Sequence, residues 1–235
     1  FKLSNLIESK NVKNIKNEKF VSISSILGSI TNNKQKDKIK EVSKSNYKSK
    51  VIADPRFDSI VVIKAAGSLG TGFYVTPDII LTAYHVVEKS SLVQLSYFDE
   101  RQSTGRVLDH DIRLDLALIK ADQVGVPLEI YDGNVKLGST VEAIGHPHQL
   151  AFTITRGIIS ALRKQPSVYT KKSAMVEFIQ SDTPISPGNS GGPLLLGDKV
   201  VGMADFGNVK KYAQNLNFSV SFNEINKFLV KNGIK

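Results

Sequence analysis

Residues 188–193 read Gly-Asn-Ser-Gly-Gly-Pro, and this is the most specific motif in the chain. Glycines on both sides of a serine allow backbone conformations that other residues resist, and they let a ligand approach the main chain closely. We therefore expect the amides of Gly188 and Ser190 to meet beside the Ser190 hydroxyl and to form an oxyanion hole at Gly188, Asn189 and Ser190. The alternative is a glycine-rich hairpin turn with an incidental serine.

A serine hydroxyl needs a neighbouring base to act as a nucleophile near neutral pH, and neutral imidazole is the usual base. The chain has four histidines. His85 directly follows the apolar run 79–82, which predicts a strand, and small residues there leave the backbone room to turn. We interpret His110, His146 and His148 as surface or structural residues because they lie in polar or proline-interrupted segments. A zinc pair at His146 and His148 is an alternative without an obvious third ligand.

A candidate carboxylate lies in residues 111–120, Asp-Ile-Arg-Leu-Asp-Leu-Ala-Leu-Ile-Lys. Ile112, Leu114, Leu116 and Leu118 alternate, which predicts a strand over residues 112–120 with one apolar face and with Asp115 on the other. A carboxylate at the start of such a strand is either exposed to solvent or committed to a partner.

In this order, the segments Thr-Ala-Tyr-His85-Val-Val, Asp115-Leu-Ala-Leu and Gly-Asn-Ser190-Gly-Gly-Pro resemble the His, Asp and Ser blocks of chymotrypsin-fold serine proteases. The nearer resemblance is to the HtrA/Deg branch, and it covers roughly residues 57–230. Further blocks agree with it: Gly70-Thr-Gly-Phe73, Ala143-Ile-Gly-His-Pro147, residues 180–190, Val201-Gly-Met203 and Asn217-Phe-Ser-Val220.

The resemblance implies an all-β fold of two six-stranded antiparallel β-barrels, the first over about 57–135 and the second over about 136–220. It assigns catalytic roles to His85, Asp115 and Ser190. His85 would take the serine proton, Asp115 would hold the imidazole tautomer, and the oxyanion hole would receive the developing charge. No metal and no organic cofactor is implied. Asn189 stands where digestive members have an aspartate, so activation by cleavage to a new N-terminus is not expected.

The same resemblance suggests where substrate binds. A trypsin-like pocket would place an acid six residues before the nucleophile, where this chain has Pro184, so we expect a modest apolar residue before the scissile bond. A carboxylate at Asp205 could instead admit a basic residue. The backbone of residues 203–205 is expected to pair with substrate as an added strand. The expected substrate-binding residues are Pro184, Ile185, Ser186, Met203, Ala204, Asp205 and Phe206.

Short apolar or alternating runs separated by turn residues support a β-barrel or sandwich on their own. Ser221 and Glu224 form a capping-box pattern before a helical apolar spacing, which predicts a closing helix over residues 222–231. The predicted strands are 59–64, 72–75, 79–82, 92–97, 112–120, 139–144, 151–160, 175–180, 193–196, 200–204 and 217–220.

The 235 residues carry a net charge of +9, and most of it lies at one end. Residues 1–50 hold twelve lysines and four acidic residues, a net charge of +8, which leaves +1 for the remaining 185 residues. We predict a basic, partly helical extension over residues 1–52 and a protease domain over 53–235. The extension is a solvated tail, a contact for an anionic surface or an oligomerisation arm, although no motif supports a trimer. Specific nucleic-acid recognition is not expected, because no arginine precedes Arg56 and aromatic residues are few.

The chain has no cysteine, which excludes disulfides and a cysteine nucleophile. No apolar run approaches the roughly 18 residues that a transmembrane helix needs. The start at Phe1 suggests a processed product, and the stop at Lys235 leaves no PDZ domain in this chain. We expect an exported or periplasmic setting, with a cytosolic or organellar one as the alternative.

These observations favour a serine endopeptidase of HtrA type that cleaves unfolded or flexible polypeptides in protein quality control. One alternative is a chymotrypsin-fold protease with narrow substrate choice. Another is a latent or non-catalytic, chaperone-like binding module that a partner activates.

Overall fold

The computed structural model describes residues 52–147, 150, 152–170, 174–207 and 215–234. The helices and linker predicted for residues 1–50 lie outside this range. The residues from Asp54 onward form one unit. A short 3₁₀ turn, Pro55–Ser59, leads into the first strand, and its N-terminus is capped by the Asp54 side chain, which accepts a hydrogen bond from the Arg56 N–H.

The first six strands close into an antiparallel barrel with the neighbour order β1-β2-β3-β6-β5-β4. One turn of helix, α1 (Tyr84–Val87), follows β3 directly. The strands are β1 (Ile60–Ala65), β2 (Ser68–Tyr74), β3 (Ile79–Ala83), β4 (Leu92–Ser96), β5 (Gln102–Asp111) and β6 (Leu116–Ala121).

The next six strands close into a second barrel with the order β10-β11-β12-β9-β8-β7. Helix α2 (Phe222–Lys231) follows the last strand, as predicted, and Ser221 Oγ accepts a hydrogen bond from the Glu224 N–H at its N-terminus. Neither helix in the described ranges is long and apolar enough to cross a membrane. The strands are β7 (Thr140–Gly145), β8 (Thr153–Pro166), β9 (Met175–Ser181), β10 (Pro193–Leu196), β11 (Lys199–Gly207) and β12 (Asn217–Ser221).

The core joins the two barrels. The larger cluster of buried side chains includes Phe73 and Leu118 from the first barrel together with Met203, Val220 and Phe228 from the second barrel and α2. Burying apolar surface contributes roughly 25 cal/mol per Å². Because this surface is shared, the barrels are held against each other and residues from both can meet at one site.

The predicted fold of two six-stranded barrels is confirmed, and ten of the eleven predicted runs coincide well with observed strands. Two local predictions were wrong. Strand β5 was not predicted, because the run Gln102–Asp111 is mostly polar, has only Gly105 buried and shows no apolar alternation. The predicted strand over 112–120 begins only at Leu116, because residues 112–115 form a turn.

Candidate active site

His85 and Asp115 are joined by two hydrogen bonds. The ring nitrogen Nδ1 of His85 lies 2.6 Å from Oδ2 of Asp115, and the His85 backbone N–H donates to Oδ1 at 2.8 Å. The Asp115 carbonyl also accepts from the Tyr84 N–H at 3.0 Å. These hydrogen bonds fix the start of α1 to the β5–β6 turn. They use Nδ1 of the imidazole, so Nε2 is the nitrogen that can act on a substrate or nucleophile.

Asp115 reaches this position from a turn and not from a strand face. Its φ of +54° is left-handed, a conformation that non-glycine residues adopt uncommonly, and its side chain is 0% exposed. The strand-face placement predicted from alternation was therefore wrong. The sequence left two possibilities for this carboxylate, exposure to solvent or a bond to a partner. The structure shows the second, and the partner is His85.

Ser190 lies in the turn between β9 and β10. Gly188 has a φ of +103°, a conformation that favours glycine, and the Asn189 N–H donates back to the Ser186 carbonyl at 2.9 Å. Within the described ranges, the N–H groups of Gly188 and Ser190 donate to no other protein group. The N–H groups of Gly188 and Ser190 are thus available to a ligand. Of the three residues predicted for the oxyanion hole, Asn189 has its N–H engaged within the turn and does not offer it.

The first barrel holds this turn in place. The Thr71 N–H donates to the Ser190 carbonyl at 2.9 Å, and the Thr71 hydroxyl donates to the Gly188 carbonyl at 2.7 Å. A Cβ on Gly191 would lie 2.2 Å from the Thr71 carbonyl oxygen, so only glycine fits there. A Cβ on Gly70 would lie 2.6 Å from Val86 and 3.1 Å from the Ser190 carbonyl oxygen, which brings the serine turn against α1.

A second buried carboxylate, Asp205 on β11, faces the His85–Asp115 pair. One oxygen of Asp205 lies within 4.8 Å of a carboxylate oxygen of Asp115 and of a His85 ring nitrogen. Asp205 Oδ1 accepts a hydrogen bond of 2.6 Å from the Tyr169 hydroxyl, and the Asp205 carbonyl lies 3.4 Å from Ser190 Oγ. Sequence reasoning placed this carboxylate in the substrate pocket. The structure directs it to the histidine and aspartate, because β11 bulges between Ala204 and Phe206.

Tyr169, in the β8–β9 connection, is a site residue that sequence reasoning missed. Its ring stacks on the His85 imidazole with a centroid distance of 5.9 Å and an interplanar angle of 11°. Its hydroxyl lies 3.4 Å from His85 Nδ1 as well as 2.6 Å from Asp205. The only sequence signal was a lone aromatic residue in a polar, lysine-containing loop.

The remaining predicted pocket residues divide into two groups. Pro184 is exposed, and Ile185 and Ser186 are half-buried, so this segment is accessible from solvent. Met203 is 0% exposed and pairs with Pro193 on one side and with Val220 on the other.

The predicted substrate strand over residues 203–205 is only partly available. Both backbone groups of Ala204 are already hydrogen-bonded. Its N–H donates to the Gly192 carbonyl and its carbonyl accepts from the Gly191 N–H, each at 2.8 Å. Met203 and Ala204 therefore have no free edge for an added strand. Strand β11 runs on beyond the end of its neighbour β10, so the backbone of Asp205 and Phe206 extends past these paired residues.

Burial lowers the pKa of His85, but the hydrogen bond and the negative charge of Asp115 outweigh it, and Glu88 adds a further negative charge. The pKa of His85 therefore lies above its ordinary value. Burial and the charge of Asp115 raise the pKa of Asp205 well above its ordinary value, and the Tyr169 hydrogen bond opposes them in part. Burial also raises the pKa of Tyr169, and the acidic neighbours Asp205 and Asp115 add to this effect.

His85, Asp115 and Asp205 form the one group of at least three potential metal ligands among the described residues. However, two ligands of one tetrahedral Zn²⁺ lie about 3.3 Å apart when each is about 2.0 Å from the metal. The 2.6 Å between His85 Nδ1 and Asp115 Oδ2 is instead a hydrogen-bond distance.

The alternative of a zinc pair at His146 and His148 is not tested, because His148 lies outside the described residues. His146 is buried, and its burial lowers its pKa. His110 stacks on Tyr84 with a centroid distance of 4.4 Å, which agrees with a structural role.

Comparison with known proteins gives consistent matches. A model described as a trypsin-like peptidase domain matches residues 70–203. A probable periplasmic serine endoprotease, DegP-like, from Halomonas elongata is 39% identical over 140 residues, which are 58% of this chain and 29% of that protein. A putative serine protease HhoA from Synechocystis is 40% identical over 131 residues, 54% of this chain and 33% of that protein.

Among solved structures, the active form of the Rv3671c protease from M. tuberculosis superimposes with a TM-score of 0.69 at 25% identity, covering 77% of this chain and 83% of that chain. The HtrA/Deg resemblance seen in the sequence is thereby confirmed. The chain spans less than a third of the length of the DegP-like relatives it matches.

Proposed function

The chain belongs to the family of trypsin-like peptidase domains, and from that premise we propose that it is an HtrA-like serine endopeptidase that hydrolyses peptide bonds in unfolded or flexible polypeptides. The observation that carries the proposal is the His85–Asp115 hydrogen bond of 2.6 Å, next to a serine turn whose Gly188 and Ser190 amides are free. In this arrangement His85 is the base and Asp115 orients it. Ser190 is the nucleophile, and the two free amides are the donors that bind the developing anion.

In the proposed mechanism, Ser190 Oγ attacks the carbonyl carbon of the scissile bond while His85 Nε2 removes the hydroxyl proton. The carbonyl oxygen becomes an oxyanion, which accepts hydrogen bonds from the N–H groups of Gly188 and Ser190. Imidazolium then donates its proton to the departing amine as the C–N bond breaks, leaving an acyl-enzyme. Water, deprotonated by His85, hydrolyses that ester and restores Ser190. Asp115 fixes the tautomer throughout, because its bond to Nδ1 leaves Nε2 as the basic nitrogen.

The proposed substrate preference is for a modest apolar residue before the scissile bond. Asp205 would be the residue to select lysine or arginine, and its carboxylate is instead engaged with Tyr169 and faces Asp115. The accessible segment from Pro184 to Ser186 carries no charge. Backbone pairing with substrate is proposed at residues 205–207, beyond the saturated Ala204, and it supplies affinity with little demand on sequence.

The experiment compares casein hydrolysis and labelling by a serine-directed phosphonate for the wild-type chain and Ser190→Ala. We expect Ser190→Ala to lose activity by about 10³-fold or more and to lose the label, because removing a triad nucleophile leaves only binding and oxyanion stabilisation. Mass spectrometry of the casein fragments reads out the residue before each cleaved bond. A predominance of lysine or arginine there would contradict the proposed pocket.

Ser160→Ala is the matched control, because Ser160 is an exposed serine of β8. It should cleave and label as the wild type does. Equal cleavage by wild type and Ser190→Ala would refute the mechanism. A folded wild type that neither cleaves nor labels would favour the alternative of a latent binding module.

We further propose an exported location, supported by the periplasmic names of the DegP-like relatives. The basic segment of residues 1–50 is proposed to contact an anionic surface or to serve in assembly, on the basis of its net charge of +8. Fractionation of cells that express the protein tests the first proposal, and vesicle co-sedimentation with anionic against neutral lipid tests the second.

A further inference from the structure

We propose that Asp205 is a positioning residue of this site, which together with Tyr169 forms a second arm that holds the Asp115–His85 pair. The inference rests on the proposed function, since it concerns the geometry of the proposed base. It departs from the pocket role that sequence reasoning gave Asp205.

The first argument is the arrangement of groups around Asp205. They come from three different elements: Asp115 from the β5–β6 turn, His85 from α1 and Tyr169 from the β8–β9 connection. The Tyr169 hydroxyl donates to Asp205 Oδ1 at 2.6 Å and lies 3.4 Å from His85 Nδ1. The tyrosine therefore touches the same imidazole nitrogen that Asp115 binds. Glu88, near the end of α1, is the other acidic group that acts on His85.

The second argument is charge. Asp205 is 4% exposed, Asp115 is 0% exposed, and oxygens of the two carboxyl groups lie within 4.8 Å of each other. Two carboxylates so close in a low-dielectric site do not both ionise readily, and one retains a proton. Asp115 accepts two hydrogen bonds from His85, whereas Asp205 accepts only one, from Tyr169, so the proton belongs on Asp205.

The third argument is an unpartnered oxygen. Asp205 Oδ2 is buried and has no hydrogen-bond partner among the described groups. A proton on this oxygen makes it a donor, and the nearby anion is Asp115. The arm then runs from Tyr169 through Asp205 to Asp115 and ends at His85. Such an arm restrains Asp115 and adds no second negative charge beside the imidazole.

The test measures the pKa of His85 by NMR of histidine-labelled full chain in a Ser190→Ala background, with and without Asp205→Asn. Asparagine keeps the shape and the acceptor for Tyr169 and is neutral at every pH. If Asp205 carries a proton at neutral pH, the pKa of His85 moves by less than about half a pH unit. If Asp205 is ionised, removing its charge lowers the pKa of His85 by more than about one pH unit, which overturns the proposal. Asp198→Asn, an exposed aspartate in the β10–β11 hairpin, is the matched control.

Kinetics test the positioning role. Asp205→Ala and Tyr169→Phe each break the arm, and we expect kcat to fall about five- to tenfold with KM changed less than about twofold. Asp205→Asn should restore kcat to within about threefold of wild type, which a mere packing defect would not predict. Tyr131→Phe, which loses an exposed hydroxyl bond to the Asn134 carbonyl, is the control for tyrosine.

Wild-type kcat in both Asp205→Ala and Tyr169→Phe would refute the arm, and so would an Asp205→Asn variant no better than Asp205→Ala. Circular dichroism melting identifies any variant that fails to fold, and the Asp205→Asn measurement then decides. Because the NMR titration uses a chain without the nucleophile, it reports on Asp205 even if the wild type shows no protease activity. A failure of the proposed function is therefore distinguishable from a failure of this inference.

Discussion

At the scale of single residues, the site brings together two buried carboxyl groups, those of Asp115 and Asp205. Asp115 and Asp205 are the same side chain in different surroundings. Asp115 receives two hydrogen bonds from His85, whereas Asp205 receives one from Tyr169 and has one unpartnered oxygen. Two carboxyl groups that are buried to a similar degree therefore differ in the number of hydrogen-bond donors around them.

Asp205→Asn is expected to stabilise the protein in a pH-dependent way. The pKa of Asp205 is raised in the folded state by burial and by Asp115. For an acid with a raised folded pKa, its favourable contribution is complete below the unfolded pKa and is lost as pH rises toward the folded pKa. Wild type therefore loses stability relative to Asp205→Asn between about pH 4 and the folded pKa.

Thermal unfolding at several pH values measures this effect. We expect Asp205→Asn to raise Tm by about 3 °C or more at pH 8 and by almost nothing at pH 3.5. Asp198→Asn, in an exposed hairpin, should show no such trend. A Tm difference for Asp205→Asn that is the same at both pH values would count against a buried protonated carboxyl.

At the scale of elements, strand β2 of the first barrel organises a turn of the second. Thr71 makes two hydrogen bonds to the serine turn, one to each of Ser190 and Gly188. Its own carbonyl accepts from the Thr82 hydroxyl at 2.7 Å, so the contact is braced by β3 as well. The geometry of the proposed oxyanion hole therefore depends on an element far from Ser190 in sequence.

Thr71→Val removes the hydroxyl that holds the Gly188 carbonyl and keeps the side-chain shape. The carbonyl would be left without this donor, so the Gly188 peptide loses its orientation and the oxyanion hole weakens. We expect kcat on a peptide substrate to fall about 10- to 100-fold with little change in KM, since losing a full oxyanion donor costs about 10²- to 10³-fold.

The control is Thr153→Val, which removes a hydroxyl bond of 2.8 Å to the Leu150 carbonyl at an exposed position. It should keep kcat within about twofold. If Thr71→Val also stays within that limit, then the tie from β2 is not what orients the serine turn.

The elements also show how far sequence patterns reach. Strands with apolar side chains were predicted because burial leaves a pattern, and Met175–Ser181 and Pro193–Leu196 match closely. Strand β5 leaves no such apolar pattern in the sequence, because it is polar and is held by pairing with β4 and β6 on its two edges. The histidine, aspartate and serine were found from short motifs. Asp205 was found as a pocket residue and Tyr169 was missed, because their contact with each other depends on a bulge in β11 and on tertiary folding that joins distant segments.

At the scale of the whole molecule, a charged cluster joins the segment before the first barrel to the second barrel. Arg56 forms a bidentate pair with Asp54, with bonds of 2.9 and 2.7 Å, and also reaches Glu142 of β7 at 2.8 Å. Arg156 binds the other oxygen of Glu142 at 2.6 Å. The Arg56 side chain is only 17% exposed, so these bonds are better shielded than those of a surface pair.

Arg56→Ala is therefore expected to lower the free energy of unfolding by about 1 to 2 kcal/mol at pH 7, because it leaves Asp54 and Glu142 without a shared cation. The bond to Arg156 and then that to Arg56 lower the pKa of Glu142, against the opposing effect of burial. A lowered acid pKa contributes stability that is present above the unfolded pKa and is lost as pH falls through the folded pKa. The gap between wild type and Arg56→Ala should thus shrink from pH 7 to pH 3 in urea titrations.

Arg101→Ala provides the comparison, because Arg101 pairs with Asp99 two residues away, as Arg56 pairs with Asp54, but both side chains are more than half exposed. Its loss should lower the free energy of unfolding much less than the loss of Arg56, because solvent screens an exposed pair. Equal losses for the two variants would show that the cluster adds nothing beyond a local pair. A larger loss for Arg56→Ala, together with its decline at low pH, would show that Arg56 fastens the entry of the first barrel to β7. It would then help to fix the relation of the two barrels, which supply His85 and Ser190.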